Sequence, residues 1–198
     1  MLLQCIGFTG GAIGAFYGVA QSYRTVKARS TAGVSRLSWL MGATASGLWL
    51  VYGLLERSGP QVLANTPWFV SCVVIGVFMA RERVVPRAVG YALPCAMLVA
   101  GFALLTLAHN ALVVIGPAFG FGVTVPQMAA ARRAESVEGV SAPAWVTSVL
   151  SGVLWVVYGI GSKDLPVTVS SATATTLNVL VIVTLLQAQR RTAQHCQQ

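Results

Sequence analysis

Residues 10–60 lie over residues 116–166 without a gap and agree at 17 of 51 positions. The agreement is densest in two blocks. Ala28, Ser30, Gly33, Val34 and Ser35 recur as Ala134, Ser136, Gly139, Val140 and Ser141, and Leu48, Trp49, Val51, Tyr52 and Gly53 recur as Leu154, Trp155, Val157, Tyr158 and Gly159. The chain around these blocks is 56% hydrophobic and only 9% charged, where a soluble domain carries roughly 25% charged residues. Such a chain must fold the same unit twice in a solvent that offers its backbone no hydrogen bonds. Only helices and closed barrels do that. A duplicated membrane unit usually places its working site on the axis between the copies, so the repeat also says where to look.

Breaks in the apolar pattern fall at charges and turn formers. They delimit seven runs, near residues 4–23, 36–55, 61–80, 88–108, 110–131, 142–161 and 165–188. Each approaches the length of about 20 residues that a helix needs to cross the hydrocarbon, about twice that of a barrel strand. Loop charge predicts the orientation. Arg24, Lys27, Arg29 and Arg36, then Arg81, Arg83 and Arg87, then Arg132 and Arg133, and finally Arg190 and Arg191 all fall on one side, and only Arg57 and Lys163 on the other. The N-terminus is expected outside and the C-terminus in the cytoplasm.

Three spans reverse a chain's direction, so two fused three-helix copies would run antiparallel. One additional crossing restores a parallel pair. The expected fold is therefore an all-α membrane protein of seven transmembrane helices in a 3+1+3 plan. A first repeat spans 1–80, a linker with the fourth helix 81–109, a second repeat 110–188 and a cytoplasmic tail 189–198.

Composition also excludes functions. The formal net charge of +8 lies in short interhelical loops rather than on one polar face, which argues for topogenic charge and against a nucleic-acid partner. The first base, Arg24, follows the first apolar run instead of preceding it, so that run is expected to be a permanent helix and not a secretory signal. Cys5, Cys72, Cys95 and Cys196 show no metal-ligand or disulfide spacing. His109 falls in an outer loop and His195 in the tail. No nucleophile–base pair or metal cluster stands out, so neither an enzyme nor a cofactor is expected.

Two stretches carry a resemblance. Residues 21–35, from Gln21 through Ser30, Gly33, Val34 and Ser35, and residues 126–141, opening on Pro126-Gln127 and ending on Gly139-Val140-Ser141, resemble the PQ-loop signature. With Trp-x-x-Tyr-Gly following in each copy, the chain resembles the SWEET and SemiSWEET sugar transporters over nearly its whole length. The resemblance implies passive, bidirectional movement of mono- or disaccharides by alternating access. It also implies a pocket built from a tryptophan on the second helix of each repeat and an asparagine sixteen positions later. Trp49 and Asn65 match that spacing; Trp155 matches, but Ser171 stands in the second asparagine position.

Sugar chemistry leads to the same residues. A sugar presents apolar C–H faces and a rim of hydroxyls, and so calls for flat aromatics with neutral donors and acceptors in an apolar cavity. Trp49 and Trp155 supply faces; Asn65, Ser151 and Ser171 supply hydroxyl partners. Asn65 facing lipid would cost several kcal/mol, so it is expected to face the bundle interior, as a pocket residue or as an interhelical hydrogen bond. Trp39 and Trp145, just past basic loops, fit interfacial belt anchors, and Trp68 fits packing. Tyr52 and Tyr158 lie one turn beyond the pocket tryptophans, with Asp164 nearby. The resemblance makes them an outer gate; an aromatic belt is the alternative. Gln21, Gln127 and Pro126 belong to the gating motif, and Pro126 removes a backbone hydrogen bond where the first copy has Ala20. Gly10-x-x-x-Gly14 and Gly116-x-x-x-Gly120 are expected to let helices pack closely.

No Asp, Glu, Lys or Arg falls mid-span, so a proton relay or a counter-charge for a charged solute is missing from the pattern. The expected function is a sugar uniporter of the plasma membrane. A carrier for another small neutral solute, such as an amino acid, and a PQ-loop receptor or scaffold that moves nothing remain as alternatives. The expected partners are the sugar and the bilayer, with a second copy of the chain as a further candidate.

Overall fold

The computed structural model describes residues 1–32, 34–133 and 142–195, and within the helices it leaves some side chains undescribed, among them Gln21, Pro126, Gln127 and Trp145. The described chain is all-helical. Seven α-helices run α1 (Leu2–Ala28), α2 (Arg36–Leu55), α3 (Gly59–Arg81), α4 (Arg87–Leu107), α5 (Leu112–Arg133), α6 (Ala142–Ser162) and α7 (Leu165–His195), with a single 3₁₀ turn at His109–Ala111. They follow the seven apolar runs of the sequence closely. α7 continues about two turns past the end of the seventh apolar run. Among the described residues, α3, α4 and Leu165–Thr184 of α7 are long and apolar enough to cross a membrane, and Leu2–Phe16, Trp39–Leu55 and Val146–Ser162 are shorter apolar stretches.

The helix ends share one device. Arg29 (φ 50°), Arg57 (φ 53°), Arg83 (φ 59°) and Lys163 (φ 58°) all take the left-handed conformation just past a helix. In each case the next residue donates its N–H to a carbonyl five positions back: Ser30 to Thr25, Ser58 to Gly53, Val84 to Met79 and Asp164 to Gly159. This is the Schellman turn, which usually has glycine at the left-handed position. A residue with a side chain there costs about 1–2 kcal/mol. A base placed at the negative end of the helix dipole returns about 0.3–1 kcal/mol. Arg29 and Arg83 are among the eleven bases on the basic side, and Arg57 and Lys163 are the two on the opposite side.

The chain divides into two compact units, Met1–Ala111 and Leu112–Gln198. In the first, α1 and α2 both pack on α3, and α4 packs on α2 and α3. Its core joins Trp39, Ala43, Cys72, Ile75, Met79 and Ala80, with Trp68, Leu93 and Met97 against it. Trp39 is only 4% exposed, and its indole N–H donates to the Cys72 carbonyl at 2.7 Å. This corrects the expectation of an interfacial anchor: the ring fills the gap that Gly76 leaves, where a Cβ would stand 2.7 Å from Trp39 Cζ2. Trp68 packs as expected. In α1 the close approach to α3 is at Gly11, where a Cβ would lie 3.0 Å from that of Ala64.

The basic end of this unit is tied together by one acid. Glu82, just past α3, accepts the Thr31 N–H at 3.0 and 3.1 Å on its two oxygens. It also accepts the Thr31 hydroxyl. Thr31 is buried in the α1–α2 connection, so the carboxylate satisfies a main-chain group that water does not reach. The offset of the repeat puts Val137 and Ala188 at the corresponding positions, which cannot form this clamp. Glu82→Ala should therefore lower the melting temperature of the purified protein, at a cost of about 1–3 kcal/mol for the orphaned donors. An unchanged melting curve would refute the clamp.

In the second unit α5 and α6 both pack on α7, the pairing pattern of α1 and α2 on α3. Ser170 donates to the Leu112 carbonyl at 3.2 Å, and a Cβ on Gly120 of α5 would stand 3.4 Å from Leu177 Cδ1 on α7.

Candidate substrate site

Each repeat builds its half of the expected site from one antiparallel hairpin, α2–α3 or α6–α7. The motif glycine sets how closely the two arms run. A Cβ on Gly53 would lie 2.9 Å from Gln61 Cβ and 3.1 Å from the Val62 nitrogen. One on Gly159 would lie 2.6 Å from Thr168 Oγ1 and 2.8 Å from the Thr168 nitrogen. Only glycine lets backbone meet backbone here. Pro60 and Pro166 open the second arms at equivalent positions, and both are buried; proline's fixed φ suits the first helical turn. Ser58 stands before α3 without a side-chain cap. Its counterpart Asp164 accepts the Val167 N–H at 3.0 Å on Oδ1 and so caps α7.

That contact brings the site residues to one level. Trp49 lies one turn back from Gly53 on α2, and Asn65 one turn on from Gln61 on α3, so the antiparallel arms hold them side by side. The same step from the Gly159–Thr168 contact sets Trp155 level with Ser171. The two tryptophans are half-buried. Each is braced by the tyrosine three residues on: Trp49 and Tyr52 meet edge-to-face at 5.6 Å and 85°, Trp155 and Tyr158 at 5.5 Å and 87°. The tyrosines are 2% and 4% exposed. They stand behind the indoles as supports, an arrangement favoured by the ring quadrupoles.

The polar groups differ between the copies. Asn65 donates one N–H to the Gln61 carbonyl at 2.9 Å, which leaves its second N–H and its carbonyl oxygen for a ligand. Ser171 commits its only proton to the Val167 carbonyl, so toward a ligand it is an acceptor. Ser151 is half-buried on α6, one turn before Trp155. At the α2–α3 turn end of the first unit, His109 Nε2 lies 2.9 Å from Glu56 Oε1, and the His109 ring tilts over Tyr52 at 5.8 Å. The sequence reading left His109 as a solvated loop residue. No spacing motif links it to Glu56, which is 53 positions away.

Residues 111–192 match the family model described as "Sugar efflux transporter for intercellular exchange", a stretch that contains the whole second repeat. Over that stretch, which is less than half of the chain, it is similar to the SWEET family. A solved structure of a eukaryotic SWEET transporter, at 3.7 Å resolution, resembles it in fold, with a TM-score of 0.62 and 17% sequence identity over 96% of this chain and 100% of that one. No curated protein matches the chain in sequence. The family likeness in sequence thus lies in the second repeat, and the internal duplication relates the first repeat to it. The gating residues expected in the PQ-loop stretches lie apart from this geometry: the side chains of Gln21, Pro126 and Gln127, and all of residues 134–141, are outside the described residues.

Proposed function

We propose that this protein is a sugar uniporter that works by alternating access in the plasma membrane, crossing it seven times with the N-terminus outside. Each repeat contributes an indole face and a neutral polar group, and Tyr52, Tyr158 and Asp164 take part in the outer gate with Gln21, Pro126 and Gln127 at the inner one. The observation that carries this reading is the recurrence of one braced unit, Trp–Tyr edge-to-face beside a neutral hydrogen-bonding side chain, in both hairpins. A braced indole offers a flat apolar face to the C–H side of a sugar ring, and the neutral groups suit hydroxyls without the desolvation cost of a charge. No acid or base falls in the middle of a predicted span, where it could couple a proton to the movement.

Purified protein in liposomes should exchange radiolabelled glucose or sucrose without a pH gradient, and imposing a gradient should not drive accumulation. Absence of counterflow across a broad sugar panel would overturn the reading, and amino-acid counterflow would replace it with another neutral solute.

A further inference from the structure

The second repeat carries one more mid-helix amide, Asn178 on α7, and we propose that it binds a hydroxyl of the second ring of a disaccharide, which makes a disaccharide the preferred substrate class. This rests on the sugar-transport reading above. Asn178 follows Ser171 by seven residues, two turns of helix, so both project from nearly the same face at about 10.5 Å separation. The packing face toward α5 lies about a quarter-turn round α7: Ser170, Leu177, Val181 and Thr184 are buried, with Ser170 and Leu177 against α5.

Asn178 is half-buried, and its side chain has no hydrogen-bond partner among the described residues. An amide in an apolar span with no partner among the described residues is costly to desolvate, and a ligand hydroxyl would offset that cost. A Cβ on Gly152 of α6 would run into Thr175 Oγ1. One turn further along, the antiparallel arms bring Asn178 level with Val149, next to Ser148. By that register Ser151 and Ser148 on α6 lie level with residues 176 and 179, beside Asn178, while Ser171 lies level with Val156 near Trp155.

The first repeat cannot offer the same second level. Its equivalents of Ser148, Ser151 and Asn178 are Gly42, Ala45 and Cys72. Cys72 is buried in the Trp39 core, and a Cβ on Gly42 would touch Trp68 and Cys72 at 3.5 and 3.6 Å. Polar groups at two depths are thus a property of the second repeat. Ser171 can only accept, while Asn178 brings the two donors and one acceptor that the matched position lacks. A separation of about 10 Å is too long for one hexose ring and suits two linked rings set along the helix.

The test is counterflow of a disaccharide, sucrose or maltose, and of glucose in liposomes, for the unaltered protein, Asn178→Leu and Asn178→Gln. Leucine keeps the volume and removes the amide. It should raise the half-saturating concentration for the disaccharide about tenfold with the maximal rate and melting temperature kept, and leave glucose exchange as it was. Glutamine should recover most of the loss. Equal effects on both sugars, no effect of leucine, or an unaltered protein that carries glucose and no disaccharide would overturn the Asn178 assignment and leave sugar transport standing. No flux of either sugar through the unaltered protein would overturn both.

Discussion

Trp155→Ala should abolish sugar exchange, and Asn65→Ala should do the same from the other repeat, with the protein still folded in both cases. Trp155 is half-buried and stacks edge-on with Tyr158 at 5.5 Å, so its outer face is a ready surface for an apolar ring. Removing a central aromatic anchor from a binding site costs about 2 kcal/mol or more. That is roughly thirty-fold in affinity, enough to push a weakly bound sugar out of the working range. Asn65 acts differently. Its free N–H and carbonyl make hydrogen bonds that alanine cannot replace, and a sugar hydroxyl left unpaired in a dry cavity costs about 1–3 kcal/mol. Trp155→Phe should retain part of the exchange, because a smaller ring still supplies a face. Normal flux in both alanine variants, at unchanged protein yield, would show that these residues do not form the site.

Gly90→Ala should be the most damaging single methyl in the first unit. A Cβ there would stand 2.5 Å from the Gly76 carbonyl oxygen and 2.5 Å from Ala80 Cβ. Neither atom is the tip of a flexible side chain, so α4 would have to move off α3. The displacement would reach Trp39, which packs against the same face of Gly76 as Gly90 does. Overpacking of this kind costs about 1–3 kcal/mol, and the expected readout is a fall of several degrees in melting temperature, or loss of yield. Gly101→Ala is the matched control on the same helix. Its Cβ would make one tight contact, with the Leu48 Cδ2 methyl at 3.1 Å, and that side chain can turn away. Equal melting curves for the two variants would refute the close packing of α4 on α3.

The two results differ in how far the sequence alone anticipates them. Trp155 and Asn65 stand out from the repeat and the family spacing. Gly90 does not, since it belongs to no repeat and to no small-residue frame. Trp39 marks the limit from the other side. Its place beside a basic loop suggests a belt residue, yet it is buried and hydrogen-bonded to Cys72. A membrane chain is apolar toward lipid and toward its own core alike, so hydropathy does not tell these two faces apart. Glu82 was hidden for a further reason: an acid among seven nearby bases reads as part of a solvated loop until Thr31, 51 positions away, is brought to it.

What the sequence by itself determined is the number of helices, their limits and the recurrence of Trp, Tyr, Gly and Pro at one offset. Those features come from local rules: apolar length against the hydrocarbon, breaks at charges, and identity between copies. The tertiary structure alone decided which glycines bring backbones together, that Tyr52 and Tyr158 brace the indoles from behind, and that Ser171 has already used its proton. These depend on what each atom meets across a helix pair, and in a solvent as apolar as the core only those contacts distinguish one face from another. The doubled frame was legible from the first reading; the unequal polar groups it holds acquired their meaning only once the hairpins closed.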